Sequence, residues 1–338
     1  MANLRGWIAC GNKSAPWSEG DAMRKRVARG TSFVVAALSL ALQSGFAHAY
    51  VREVTDEGLP IAWHAPCITM HIYLGSPPPA LAAADYFSAS TQAAGIWSYP
   101  SLACTDLRLS VVAESQSTAD VGYDHKNVIV FRQDTWCRQP APVDDAGMTE
   151  PYCYSSSELA VTSVFKNAQT GEILDADIEL NAVNYTWANL VTQPDLASLN
   201  TMDFQYALTH ELGHVIGLDH SCYDGNDARL NDNTGTPELD CYNNPTLPSS
   251  VAQAIMYPSV DLTGAKTKQR DLSPDDQQGD CDIYPHTHDV CPTSSAPSGC
   301  SVDPTTNPGS GNAPPLENSL TIGILAIGLA ILGARWKH

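Results

Sequence analysis

Positive charge is scarce in this chain. Lysine and arginine number 18 against 37 aspartates and glutamates, a formal net charge of −19 over 338 residues. Nucleic-acid binding is disfavoured, because a phosphate-binding surface must be basic. Cysteines in CxxC spacing are missing as well, which argues against structural zinc held on thiolates. Apolar runs are short: residues 33–42 fall well below the roughly 20 residues of a bilayer span, and residues 320–334 are marginal for one. No internal repeat is visible, and the stretch between the two ends has room for one domain with a substantial core.

The ends of the chain point to export. Met23-Arg24-Lys25-Arg26-Val27-Ala28-Arg29 is a basic cluster, residues 33–42 are apolar, and Ala47-His48-Ala49 is a small-x-small cleavage site. Together they read as a secretory signal peptide, residues 1–49, with Tyr50 as the first mature residue. Met23 is then the expected start, and residues 1–22, Cys10 included, a gene-model extension. A retained signal anchor is the rival reading, weakened by the short apolar stretch. Residues 292–319 are rich in Pro, Ser, Thr, Gly and Asn and read as a flexible tether. Residues 320–338 follow with an apolar segment and Arg335-Trp336-Lys337-His338, whose charge predicts a cytoplasmic end and a domain that faces out. A cysteine in the tether, a short apolar helix and a basic end resemble the bacterial sorting tails of myxobacterial surface proteins, with Cys300 as the processing or anchoring site. An ordinary membrane anchor with an incidental thiol is the other reading. Setting aside Cys10 and Cys300 leaves 10 − 2 = 8 cysteines in residues 50–291, an even number that suggests disulfides in an exported chain. Proximity along the chain favours Cys67–Cys104, Cys137–Cys153, Cys222–Cys241 and Cys281–Cys291.

Between these ends, residues 68–74 alternate and read as a strand, and Pro77-Pro78-Pro79 breaks the chain. Residues 82–97 read as a helix with Tyr86, Ala93, Ala94 and Trp97 on its buried side. Residues 107–113, 127–132, 159–166 and 173–180 read as further strands, the last two joined by a hairpin turn at Ala168-Gln169-Thr170-Gly171. The next helix is capped by Asn200 or Thr201, carries Asp203 in its first turn, and has Phe204, Ala207, Leu208, Leu212 and Val215 on its apolar side.

That helix bears His210-Glu211-Leu212-Gly213-His214-Val215-Ile216-Gly217-Leu218-Asp219-His220. His210 and His214 sit about 40° apart around a helix axis, on one face. Gly217 can take the positive φ that ends a helix, so that His220 folds back as a third ligand. Three imidazoles leave a fourth tetrahedral position open, which separates catalytic from structural zinc. Glu211, beside that position and not a ligand, suits a general base.

Downstream lie Ala254-Ile255-Met256-Tyr257-Pro258 and Leu272-Ser273-Pro274-Asp275-Asp276-Gln277-Gln278-Gly279. The long histidine motif followed by these two segments resembles the metzincin zinc peptidases, and within them the matrixin family. The likeness covers residues 61–285. It implies an α+β catalytic domain over residues 50–291: a twisted mixed five-stranded sheet, three main helices, and a zinc cleft under the edge strand. Met256 would form a methionine turn beneath the metal. Leu159, Ala160 and Val161 would lie on the edge strand that takes a polypeptide substrate as an added antiparallel strand, with Tyr257 and Pro258 walling a pocket. The implied activity is zinc-dependent endopeptidase, water being activated at the metal with Glu211 as base. A monomer with no nucleic-acid partner, exported from a bacterium and tied to the membrane by its tail, is expected.

The sequence also departs from the matrixin pattern. Cys67 after His64-Ala65-Pro66 is not a cysteine-switch peptide. Asp175-Ala176-Asp177-Ile178-Glu179 lacks the histidine that animal matrixins use for a second zinc. The interval from His220 to Met256 is long and carries Cys222 and Cys241. Asp224-Gly225-Asn226-Asp227 with Asp232 is an oxygen-rich candidate for calcium, but it lacks EF-hand spacing, and a solvated loop is preferred. His71 reads as a strand side chain, and His286 and His288 as surface groups. The competing functional reading is a surface-displayed zinc module that binds peptides without cutting them. Glu211 weighs against it, since binding alone needs no base.

Overall fold

Ile68, Met70 and Ile72 point inward while Thr69 and His71 between them are half-exposed, the period-two pattern of a strand with one buried face. They lie on β1, Cys67–Tyr73, in a computed structural model that describes residues 50–115, 121–138, 152–198, 200–225, 235–261, 270–287, 291 and 333–337. The expected signal peptide and tether, Cys300 and His288 lie outside the described residues. The elements after β1 are α1 (Ala83–Trp97), β2 (Arg108–Glu114), β3 (Val128–Arg132), β4 (Cys137–Arg138), β5 (Tyr152–Cys153), β6 (Glu158–Lys166), β7 (Ile173–Asn181), β8 (Thr186–Ala188) and β9 (Thr201–Asp203). Then come α2 (Phe204–Val215), the one-turn α3 (Ser249–Ala252), β10 (Ser259–Asp261), α4 (Pro274–Ile283) and β11 (Gly333–Lys337).

The protein is α+β. Its main sheet runs β10-β11-β6-β7-β3-β1-β2 and is mixed: β2, β1, β3 and β7 are parallel neighbours, and β6 is antiparallel to β7. Five of these strands, from β6 to β2, are those expected. α1 buries Tyr86, Ala89, Ser90, Ala93, Ala94 and Trp97, one stripe at helical spacing. It packs on β2 and against α2, which packs on β6. Trp97 bridges the two helices, its indole N–H donating to Thr209 O at 2.9 Å. Tyr86, Phe131, Trp187 and Phe204 fill the centre, with ring centroids 5.3–5.8 Å apart.

The opposite side of β7 is acidic and equally buried. Asp175 Oδ2 accepts the backbone N–H groups of Asp124 and His125; Asp177 accepts those of Gly122 and Val128. Glu179 takes Arg132 Nε at 2.6 Å and Tyr154 Oη at 2.7 Å. These carboxylates hold the loop before β3 and the β4–β5 ribbon onto the sheet. Burial, helped by the charge of Asp175, pushes Asp177 up to about 8.

Three expectations are corrected. Asn200 and Thr201 do not cap α2. Thr201, Met202 and Asp203 are paired in the β8–β9 ladder, and Asp203, the last of them, is the cap, its carboxylate accepting from Tyr206 N at 3.0 Å. Cys67 does not pair with Cys104, nor Cys281 with Cys291; the bridges are Cys67–Cys291 and Cys104–Cys281, beside the expected Cys137–Cys153 and Cys222–Cys241. The reason is where α4 ends. Asp106 N donates to Tyr284 O and His286 N to Cys104 O, so the chain after α4 lies alongside the entries to β1 and β2. Finally, β6 is not the edge of the sheet. β11 adds to it in parallel, Trp336 opposite Ala160 and Lys337 opposite Val161, and β10 follows. Gly333 and Ala334 of β11 were expected to end the apolar segment and Arg335–Lys337 to form its cytoplasmic end; an uncovered strand edge is a template for any extended segment. Residues 320–332 lie outside the described set, and among the described residues no helix is long and apolar enough to cross a membrane.

Non-reducing peptide mapping should recover Cys67 linked to Cys291 and Cys104 linked to Cys281, and a Cys67–Cys104 peptide would contradict this arrangement. Each bridge closes a long loop, so replacing Cys67 and Cys291 together with alanine is expected to cost about 2–4 kcal/mol of stability, read from denaturant unfolding.

Candidate metal centre

α2 carries the first half of the site. His210 and His214 are one helical turn apart, and both are fully buried with Glu211 between them. Helix spacing puts both rings on one face, and their Nε2 atoms stand 3.1 Å apart. The third imidazole needs a reversal of the chain. Gly217 supplies it at φ +94°, with Gly217 N donating to His214 O and Leu218 N to Gly213 O. A side chain there would be strained, and its Cβ would lie 2.7 Å from Ile61 O. The segment from residue 50 straps the turn down through Glu53 N to Gly217 O and Asp219 N to Val51 O. His220 thereby returns to the pair. The three ring centroids stand 4.9, 5.0 and 5.4 Å apart, with one ligand atom from each ring within 4.8 Å of the others.

The orientation of each ring is set from behind. His210 Nδ1 lies 2.6 Å from Ile255 O, His214 Nδ1 2.8 Å from Leu218 O, and His220 Nδ1 2.9 Å from Asp224 Oδ2. All three partners only accept, so each Nδ1 carries the proton and each Nε2 presents a lone pair to the common centre. Glu53 adds a buried carboxylate 3.8 Å from His214 Nδ1.

This donor set fits zinc. Two nitrogens on a tetrahedral zinc at about 2.0–2.1 Å stand about 3.3 Å apart, close to the His210–His214 separation. Three buried, neutral nitrogen donors with acceptors at their Nδ1 positions match the outer-sphere pattern of metal-ligating histidines.

Met256 lies beneath α2. A Cβ on Gly213 would sit 2.2 Å from Met256 Sδ and 3.2 Å from Trp97, so the missing side chain at 213 is what lets the methionine pack against the helix. The turn is fastened from both sides. Ser221 N donates to Met256 O, and Asp276 accepts from Ile255 N and Met256 N. Asp276 also closes a capping box with Ser273 at the start of α4, and burial raises its pKa. Gly213→Ala is expected to cost about 1–3 kcal/mol by overpacking, read as a fall in thermal midpoint of the metal-free protein.

The expected residues do not all converge. His210, Glu211, His214, His220 and Met256 meet. Leu159, Ala160 and Val161 are buried on β6, whose outer side carries β11. Tyr257 turns to the inserted loop, donating to Cys241 O at 3.1 Å and packing on the cluster of Cys222, Cys241 and Val251. Pro258 is buried where the chain enters β10. Asp227 and Asp232 lie outside the described residues, while Asp224 of the candidate calcium loop is at His220 instead.

Two contributors escape a reading of the sequence. Thr162, buried on β6, donates its hydroxyl to Glu211 Oε2. Nothing local to either residue signals this, because the pairing of β6 with α2 is tertiary. Asp224 stands four residues after His220, a spacing that a search for second-sphere acids would have found.

No protein-family model matches the chain, and no curated protein matches it. Among solved structures, one described as "GM1 bound form of the ECX AB5 holotoxin" is similar over 70% of this chain and 88% of that chain, at 11% identity and a TM-score of 0.35. A likeness that low carries no argument about fold or function.

Proposed function

We propose that the protein is an exported zinc-dependent endopeptidase of the metzincin type, matrixin-like in its motif and methionine turn. One observation carries the reading: three buried imidazoles each offer a ligand atom within 4.8 Å of the others, and an adjacent buried carboxylate, Glu211, is not among them. A module that only bound metal would gain nothing from a buried acid at that position, since burying a carboxylate is costly.

Zinc at this point would act as a Lewis acid, acidifying water and polarising a scissile carbonyl. The residues of the chain do the rest. Glu211 accepts the proton of the attacking water and returns it to the leaving amine, a role worth about 10²–10⁴-fold in rate. Thr162 fixes the Glu211 carboxylate by donating to Oε2, so the base does not have to be oriented in each turnover. Ile255 O, Leu218 O and Asp224 hold the three rings in the tautomer that ligates.

Substrate would bind along β6 as an extended strand, using main-chain hydrogen bonds at Leu159–Val161. In the structure β11 takes that place, and it runs parallel to β6, opposite to the antiparallel strand expected of substrate. Productive binding therefore requires β11 to leave. The acidic composition, the disulfides and the signal-like start fit action outside the cytoplasm.

The test is a digestion of a casein-like unfolded protein by the purified full chain, with new N-termini identified by mass spectrometry. Cleavage that a chelator stops and zinc restores is the expected result. A folded, zinc-loaded protein that binds the substrate and generates no new termini would replace this reading with the peptide-binding one.

A further inference from the structure

The three histidines are not held alike. His210 and His214 belong to a rigid helix and are oriented by neutral carbonyls, Ile255 O on a turn fastened by Asp276 and Leu218 O on the turn that ends α2. His220 stands beyond Gly217, outside the helix and without its restraint. Its partner is a charged side chain, Asp224, whose Oδ2 lies 2.9 Å from His220 Nδ1. Both side chains are largely withdrawn from water, at 3% and 13% exposure.

Asp224 is itself held by a stapled pair of chain segments. Tyr223 N donates to Leu239 O at 2.9 Å, Cys241 N donates to Tyr223 O at 3.0 Å, and Cys222 is bonded to Cys241. The backbone on the N-terminal side of Asp224 is therefore pinned to residues 239–241, and the disulfide sits two residues from the ligand. The loop thus puts a carboxylate behind the one ligand that the helix does not control.

We infer that Asp224 is a positioning residue for the metal centre, an outer-sphere anion delivered by the disulfide-closed loop that orients His220 and strengthens its hold on a divalent cation. This rests on the reading of the triad as a zinc site. The chemistry is specific. An imidazole N–H bonded to a carboxylate donates more electron density at Nε2 than one bonded to a carbonyl, and the negative charge offsets a dication surrounded by three neutral rings. Removal of such a partner costs about 10–100-fold in metal affinity.

The test uses the full chain as wild type, Asp224→Ala and Asp224→Asn, each stripped of metal. The zinc dissociation constant is measured by competition with a chromophoric chelator, and the cobalt-loaded visible spectrum is recorded. Asp224→Ala is expected to weaken zinc by about 10–100-fold and to change the cobalt bands, beyond any small fall in the thermal midpoint of the metal-free protein. Asp224→Asn, which keeps an acceptor but loses the charge, is expected to fall between the two; it carries the test if the alanine variant does not fold. Affinities within twofold of wild type in both variants would overturn the inference while leaving the zinc site intact. A wild-type chain that binds no zinc would overturn both.

Discussion

Glu211→Ala is expected to lower kcat/KM on an unfolded protein substrate by about 10²–10⁴-fold while zinc content stays at that of the wild type. The separation of the two readouts follows from geometry. The group that could hold a metal ion is His210, His214 and His220, and Glu211 is outside it, so on the proposed reading its loss removes a proton acceptor and no ligand. The residue is fully buried and receives the Thr162 hydroxyl, so truncation also leaves that hydroxyl without its acceptor and costs some stability. Glu211→Gln, which keeps the shape and still accepts from Thr162, separates the two consequences: it should be as inactive as the alanine variant but nearly as stable as wild type. Retention of wild-type turnover in either variant would remove Glu211 from the role of base.

His220→Ala is expected to weaken zinc more than any outer-sphere change, by well over about 100-fold, leaving two ligands on α2. Equilibrium dialysis followed by metal analysis measures this directly. A second readout is thermal: a ligand at about 100 times its dissociation constant adds about 2.7 kcal/mol to stability, so wild type should gain several degrees on zinc addition and His220→Ala very little. Activity should fall with occupancy. If the variant retains zinc as wild type does, His220 is not a ligand, and the site reduces to an ordinary pair of helix histidines.

The motif was legible because its chemistry and its geometry are both local. Two candidate ligands and the candidate base lie within five residues of one helix, and the third candidate ligand follows a glycine whose φ of +94° the spacing anticipates. The strands at residues 68–74, 107–113, 127–132, 159–166 and 173–180 were legible for a similar reason, since each is a short local run, alternating at residues 68–74 and continuously apolar at Val128–Phe131. Where competing local rules met, the reading slipped. Asn200, Thr201 and Asp203 are all good helix caps, and only the β8–β9 ladder, which ends at Asp203, fixed the start of α2 after that residue. Proximity misassigned half of the disulfides because chain distance says nothing about where α4 brings residues 284–286.

Covalent order therefore decided which atoms can hold a metal and which acid can act beside it, through periodicities of a few residues that a helix and a turn convert into positions. Tertiary packing decided what surrounds them: Thr162 on Glu211, Asp224 on His220, Asp276 beneath the methionine turn, Cys67 joined to Cys291, and β11 along the strand where a substrate would lie. Each of these joins elements whose separation in the chain carries no periodic signal, or depends on a loop whose path only its disulfide and neighbouring backbone define. Such contacts come into being when the sheet and the helices close on one another.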